Sequence, residues 1–177
     1  VVLGLAQPYL PQIKLILSLP SIKDIFTAIA IIGEIGNDMS MFHSSKHLCS
    51  WAGLTPQNNE SAGKKKSVRI SRAGVYIKPL LVQCANAAIK SKKYLYFKVR
   101  YDQIKKRRGH KKAIIAIAHM LLNCIYHMLD KNETFNDDLY KVDSRPKQTY
   151  APQIIEEMAI RYLQTLGYQI PDMIYKS

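Results

Sequence analysis

Ser61 is the residue whose surroundings could give a side chain chemistry. Glu60 precedes it, the small residues Ala62 and Gly63 follow, and Lys64, Lys65 and Lys66 come next. A small-residue turn in a polar stretch leaves a hydroxyl exposed. Cations beside it could offset the charge that builds on an attacked phosphodiester, making the serine a nucleophile. The competing reading is that Ser61 shapes a turn, the usual duty of a loop serine. Arg69 and Arg72 continue the same cationic stretch and could clamp nearby phosphates.

Other chemistries fare less well. A metal-dependent nuclease needs clustered carboxylates, yet Asp24, Glu34, Asp38, Glu60 and Asp102 are scattered, with no DxD or ExxH grouping. His119 and His127 lie two turns apart on one helical pattern, and His43 and His47 are four apart across a helix start. Neither pair has an obvious third ligand, so core or surface histidines are the better reading and no metal site is expected. Cys49, Cys84 and Cys124 are few and odd in number, and each sits in an apolar helical pattern. That favours buried thiols in a reducing compartment over disulfides or a zinc cluster.

Lys and Arg number 26 against 13 Asp and Glu, a formal net charge of +13. The excess is local. Between Ser61 and Lys112 the cations include Lys64, Lys65, Lys66, Arg69, Arg72, Lys105, Lys106, Arg107, Arg108, Lys111 and Lys112, against a single acid, Asp102. A solvated face normally mixes signs, because like charges at i,i+4 oppose helix formation. Near-purity of sign therefore points to an external polyanion, and phosphate contacts that release counterions would give salt-sensitive nucleic-acid binding. Tyr94, Tyr96, Phe97 and Tyr101 interleave with these cations and could stack on bases. The alternative is that Leu95, Val99 and some of the rings face the core while the cations fringe it.

The elements that must position these residues are helical. Ile13, Ile16 and Leu17 suggest an apolar turn or the stub of a severed helix. Ser21 and Asp24 form a capping-box-like start for a buried helix through Ile25, Ala28, Ile29 and Ile32, ended by Gly36. A shorter helix runs from a Ser44 or Ser45 cap through Trp51 to Gly53. Between Leu54 and Gly74 the apolar period disappears, and only Val68 and Ile70 hint at a strand. Helical patterning resumes near Ile77, with Pro79 tolerable in a first turn. Ser91 then offers a cap for a basic helix ending at Gly109. Ala113 to Leu129 forms the most hydrophobic helix, with Ile114, Ile117, Ala118, Leu121, Ile125 and Met128 on one stripe.

After a polar, acidic stretch, Pro152 opens a last helix to Gly167, which would pack on the domain or on a partner. The apolar stretch Ala113 to Leu122 is interrupted by His119 and falls short of the ~20 residues of a membrane span, so no membrane association is expected. The start at Val1 shows neither a basic n-region nor a cleavage site and reads as a cut within a longer protein. The fold expected is mainly α, a compact helical domain with a basic irregular loop or small hairpin near residues 54–74. Residues 1–18 would be the remnant of a preceding region, 19–131 the domain, and 132–177 a polar linker with a C-terminal helix.

The motifs then match as a set. Glu34-Ile35-Gly36, Phe42, Lys46-His47-Leu48, Trp51-Ala52-Gly53-Leu54-Thr55-Pro56, Ser61-Ala62-Gly63-Lys64, Arg69-Ile70-Ser71-Arg72-Ala73-Gly74 and Arg108-Gly109-His110-Lys111-Lys112-Ala113 occur in order. From about Leu19 to Leu129 the chain resembles the C-terminal transposase domain of the insertion-sequence one-ten (IS one-ten) family. The resemblance implies a bacterial, cytoplasmic, nucleoid-associated DNA recombinase that pairs this domain with an N-terminal RuvC-like domain carrying Mg²⁺ on acidic ligands. It implies a bridge RNA that guides DNA choice, a homo-oligomeric full-length enzyme, and Ser61 as the nucleophile that forms a phosphoserine link to DNA. The fragment by itself would bind but not cut. Family members begin the domain with a glycine-bearing turn close to Pro-Gly-Ile-Gly. Pro20-Ser21-Ile22-Lys23 lacks both glycines, which puts backbone contact with phosphate by that turn in doubt.

Overall fold

The computed structural model describes residues 2–56, 59–61, 64–67, 70–92, 95–140, 161 and 164–165. The chain divides into two compact units, Val1–Val142 and Asp143–Ser177. The first is mainly α, with a small hairpin. Its elements are α1 (Val2–Leu5), α2 (Leu10–Leu17), α3 (Ile25–Ile35), α4 (Ser45–Trp51), β1 (Asn59–Ser61), β2 (Lys64–Ser67), α5 (Ile77–Lys90), α6 (Leu95–Arg108) and α7 (His110–Lys131).

α7 is the hub, packing against α2, α4, α5 and α6. Its stripe Ile114, Ile117, Ala118, Leu121, Ile125 and Met128 is buried as the helical period requires. By length and composition α7 could cross a membrane, being longer than the uninterrupted apolar run suggests. Its apolar stripe is instead covered by the other helices. No polar or charged residue is buried among the described residues. The three cysteines are buried free thiols. Burial disfavours the thiolate and pushes Cys49 up to about 12 and Cys84 to about 11.

Local chemistry sets the helix ends. Ser44 caps α4 by accepting from the His47 amide at 3.2 Å. The cap of α3 is Asp24 and not Ser21: the Asp24 carboxylate accepts from the Thr27 amide at 2.9 Å, while Ser21 Oγ makes no hydrogen bond. The capping-box reading started the helix one turn early. The inward stripe of α3 is also rotated relative to the expected one. Ile31, Ile32 and Ile35 are buried with Ala28, and Ile25 and Ile29 are only half-buried. Ser91 closes α5 in extended conformation and stands four positions before α6, too far to be its N-cap.

Two segments contribute more to the core than their composition suggests. α2 is a two-turn helix whose Ile13 and Ile16 are buried, and it packs on α3 and α7. After α7, the Phe135 amide donates to Ser18 Oγ at 2.9 Å, and Tyr140 stacks on Phe135 and Phe97 while its hydroxyl lies 3.1 Å from Cys124 Sγ. The acidic stretch therefore begins by folding back on the domain. Of the second unit only Arg161, Gln164 and Thr165 are described, each helical, so the helix expected from Pro152 to Gly167 otherwise lies outside the described residues.

Candidate functional site

Between α4 and α5 the backbone is pinched. Gly53 and Gly74 both adopt left-handed φ, +66° and +68°. An added methyl at Gly74 would collide with the Ala52 carbonyl, 2.7 Å from its carbon. One at Gly53 would sit 2.5 Å from the Ala73 carbonyl oxygen. The two dipeptides Ala52-Gly53 and Ala73-Gly74 therefore meet backbone to backbone, a distance only glycine permits. Lys78, from the first turn of α5, donates its ammonium to the Ser71 carbonyl at 2.6 Å. Burial lowers its pKa. One member of the basic set is thus used to brace the pinch.

The described residues from Pro56 to Ile70 form an arm. Pro56 bridges Ile70 antiparallel, and beyond them β1 and β2 pair, with Glu60 opposite Lys65 and Ser61 opposite Lys64. The register shifts between Asn59 and Glu60, which makes Lys66 the extra residue of a bulge. Ser61 is thus the last residue of a strand and the cross-strand partner of Lys64, where an irregular loop or a small hairpin was expected. Lys65 and Lys66 follow on β2, and Arg69 lies outside the described residues. Arg72 is exposed beside the pinch, where the Ser71 hydroxyl accepts from the Ala73 amide at 3.0 Å.

The second cationic group stands at the corner between α6 and α7. Lys105, Lys106, Arg107 and Arg108 form the last turn of α6, Lys111 and Lys112 the first turn of α7, and all six are exposed. One residue, Gly109, joins the helices at φ +81°, ψ +168°, a region open essentially to glycine alone. The corner is pinned from inside. The Tyr101 hydroxyl lies 2.7 Å from His110 Nδ1, and Lys105 Nζ stands 5.6 Å from the centre of the Tyr101 ring.

Cations in the last turn of α6 suit the negative end of that helix. Lys111 and Lys112 oppose the positive end of α7, which has no acid in its first turn. A placement unfavourable to its own helix makes sense if an outside anion sits there.

The inner face of α6 is built from Phe97 and Tyr101, with Ile104 half-buried. Two of the rings thus face the core while cations fringe it, as the alternative reading expected, but Val99 is only half-buried and Leu95 is exposed. With cations on every turn, α6 carries little amphipathic signal. Phe97 and Tyr101 are consequently unavailable for stacking on bases, and Tyr96 packs edge-on against Phe97 and Tyr140. Tyr94 lies outside the described residues.

A groove of roughly 960 Å³ lies between the root of the arm and the corner. Pro56, Ile70 and Leu54 from the root of the arm line it together with Arg108, Lys111 and Lys112 from the corner, Ile104 from α6, and Ile115, Ala116 and His119 from α7. The structure thus brings Arg108, Lys111 and Lys112 to the base of the hairpin that carries Ser61, whereas Arg72 does not line this groove. Sequence reasoning missed Leu54, Pro56, Ile104 and His119 as neighbours, and nothing in their local spacing could have joined them. Among the described residues no group of three His, Cys, Asp or Glu side chains is placed to hold a metal ion. His43 and His47 stack at 5.5 Å as a pair without a third ligand.

Comparison with known proteins bears on this arrangement. The family described as transposase IS116/IS110/IS902 matches residues 13–102, just over half the chain, from within α2 to within α6. The chain is 30% identical over 116 residues to the transposase for insertion sequence element IS1111A of Coxiella burnetii (strain RSA 493 / Nine Mile phase I). That alignment takes in 62% of this chain and 30% of the relative, so the chain spans under a third of the length of the curated protein it matches. No solved structure matches it.

Proposed function

Because the chain belongs to the IS116/IS110/IS902 transposase family, we propose that it is the nucleic-acid-holding, nucleophile-bearing part of an insertion-sequence transposase. In this reading the Ser61 hydroxyl attacks a DNA phosphodiester. An Oγ–P bond forms as one backbone P–O bond breaks, and the serine gives up a proton as the departing oxygen gains one. The count of phosphoester bonds is conserved, so rejoining needs no external energy source. One observation carries the reading: the root of the hairpin that ends β1 at Ser61 opens onto the same groove as Arg108, Lys111 and Lys112. A phosphate backbone drawn to that corner would run beside the arm.

Supporting residues take roles consistent with their chemistry. Lys64, Lys65, Arg69 and Arg72 clamp phosphates near the serine, and Lys105, Lys106, Arg107, Arg108, Lys111 and Lys112 hold strand further along. Among the described residues no three carboxylate, histidine or cysteine side chains are grouped to hold Mg²⁺. The reading assigns the metal to a RuvC-like domain elsewhere in a longer protein, and no step here passes through it. Guidance by a bridge RNA, homo-oligomeric assembly and a cytoplasmic, nucleoid-associated location belong to the same proposal.

The experiment is a covalent trap. The full-length protein, incubated with its element-end DNA and denatured, is expected to leave a protein–DNA adduct that Ser61→Ala abolishes. An adduct of undiminished yield from the alanine variant would remove Ser61 from the chemistry. A second reading, a binding module without catalysis, is favoured by the opposition of Lys111 and Lys112 to their own helix, which concerns anion holding alone. It predicts no adduct from either protein, with salt-sensitive binding intact.

A further inference from the structure

Phosphate holding explains the cations of the groove but not what lies beneath them. Cations on any convex surface would serve a phosphate backbone. Here Arg108, Lys111 and Lys112 stand over walls that are aliphatic: Leu54 and Ile70 from the two ends of the arm, Ile104 from α6, and Ile115 from α7. Among the described residues no acid lines the groove. Near them lies one ring with hydrogen-bonding atoms, the half-buried His119, which burial biases toward the neutral form that can both donate and accept.

A ligand suited to this composition has an apolar body with a polar edge, attached to an anion. A base inside a duplex has its faces covered by its neighbours and shows the groove only edges. A base that has left the stack offers both faces to apolar walls while its phosphate remains outside.

We propose that the groove seats one unpaired nucleobase of a bound strand, with its phosphate held at the rim by Arg108, Lys111 and Lys112 and its edge toward His119. This rests on the nucleic-acid-holding reading given above and adds to it a preference for nucleic acid with a base out of the helix. The aliphatic walls distinguish bases poorly, so the preference is for the unpaired state and not for a sequence.

The test uses the whole chain and three labelled DNA duplexes of one sequence, followed by fluorescence anisotropy at several salt concentrations. One is fully paired, one carries a single-nucleotide bulge, and one carries the same bulge with an abasic site. The bulged duplex is expected to bind about tenfold more tightly than the abasic one, the size of one base's stacking contribution. Ala116→Trp, which fills the groove from α7, is expected to remove that preference.

Intact and abasic bulges bound equally by the unaltered protein would overturn the base slot, leaving the groove to an apolar protein segment. If all three duplexes still bound in a salt-dependent way, nucleic-acid holding would stand. No salt-dependent binding to any of them would remove both. The abasic comparison needs no change to the protein, so it decides even if the tryptophan variant fails to fold. A preference retained in a folded Ala116→Trp variant would also overturn the proposal. The same bulged and abasic pair made in RNA shows which strand chemistry the slot accepts.

Discussion

Around α7, Ile117, Leu121 and Leu122 lose all contact with solvent to side chains arriving from neighbouring helices. Between Gly53 and Gly74 the chain is held instead by its own main chain, where Ala52-Gly53 touches Ala73-Gly74 and Lys78 ties down the Ser71 carbonyl. The first region depends on the total volume of apolar side chains, which neighbours can partly readjust. The second depends on the absence of two methyl groups, and a backbone carbonyl has nowhere to move. The main-chain contact is therefore the one with the stricter local requirement.

Substitutions can break or sharpen that contrast. Gly74→Ala adds both a left-handed φ penalty and a collision with Ala52, and is expected to cost about 4 kcal/mol or more in urea unfolding. Leu121→Ala, a cavity at the centre of the core, is expected to cost about 3 kcal/mol by the same measurement. A larger loss at Leu121 would reverse the order argued here.

Gly109→Ala isolates the conformational part, since an added methyl there meets nothing within 4 Å. Its expected cost is about 1–2 kcal/mol, and a value equal to that at Gly74 would mean that the backbone contact itself contributes nothing.

The smallest effect concerns pH. Burial holds the His119 pKa below the ordinary imidazole value of about 6.5. The folded chain then binds fewer protons than the unfolded one, so this contribution is complete above that value and is lost as pH falls from it through the depressed folded pKa. His119→Gln should flatten the pH dependence of the urea midpoint below pH 6.5. An unchanged profile would place the histidine in water, outside the groove.

What the sequence revealed and what it withheld follow the same division. Helical period identified α3, α5 and α7, and cap chemistry found Ser44, Gly36 and Gly53, because these signals lie within a few residues of one another. The cap of α3 was misplaced by one turn because Ser21 and Asp24 have the same preference, and only the Thr27 contact separates them. α6 hid its inner face because Phe97 and Tyr101 are surrounded by cations. Gly53 read as a helix end, but its contact with Ala73 is made across the whole arm. The groove was not visible in the sequence, since it draws Leu54, Ile70, Ile104 and Ile115 from four separate stretches. Ser61 was singled out by its neighbours in sequence, and its pairing with Lys64 adds strand register to that nearness.

The closure at Gly53 and Gly74 also bears on how such proteins can diversify. With both ends of the arm fixed to each other, residues could be added or removed beyond Pro56 and Ile70 without shifting α4 or α5. Because loop-closure entropy grows only slowly with length, such changes would cost little. The length of the arm becomes a quantity that evolution or an engineer could adjust separately from the stability of the helical body.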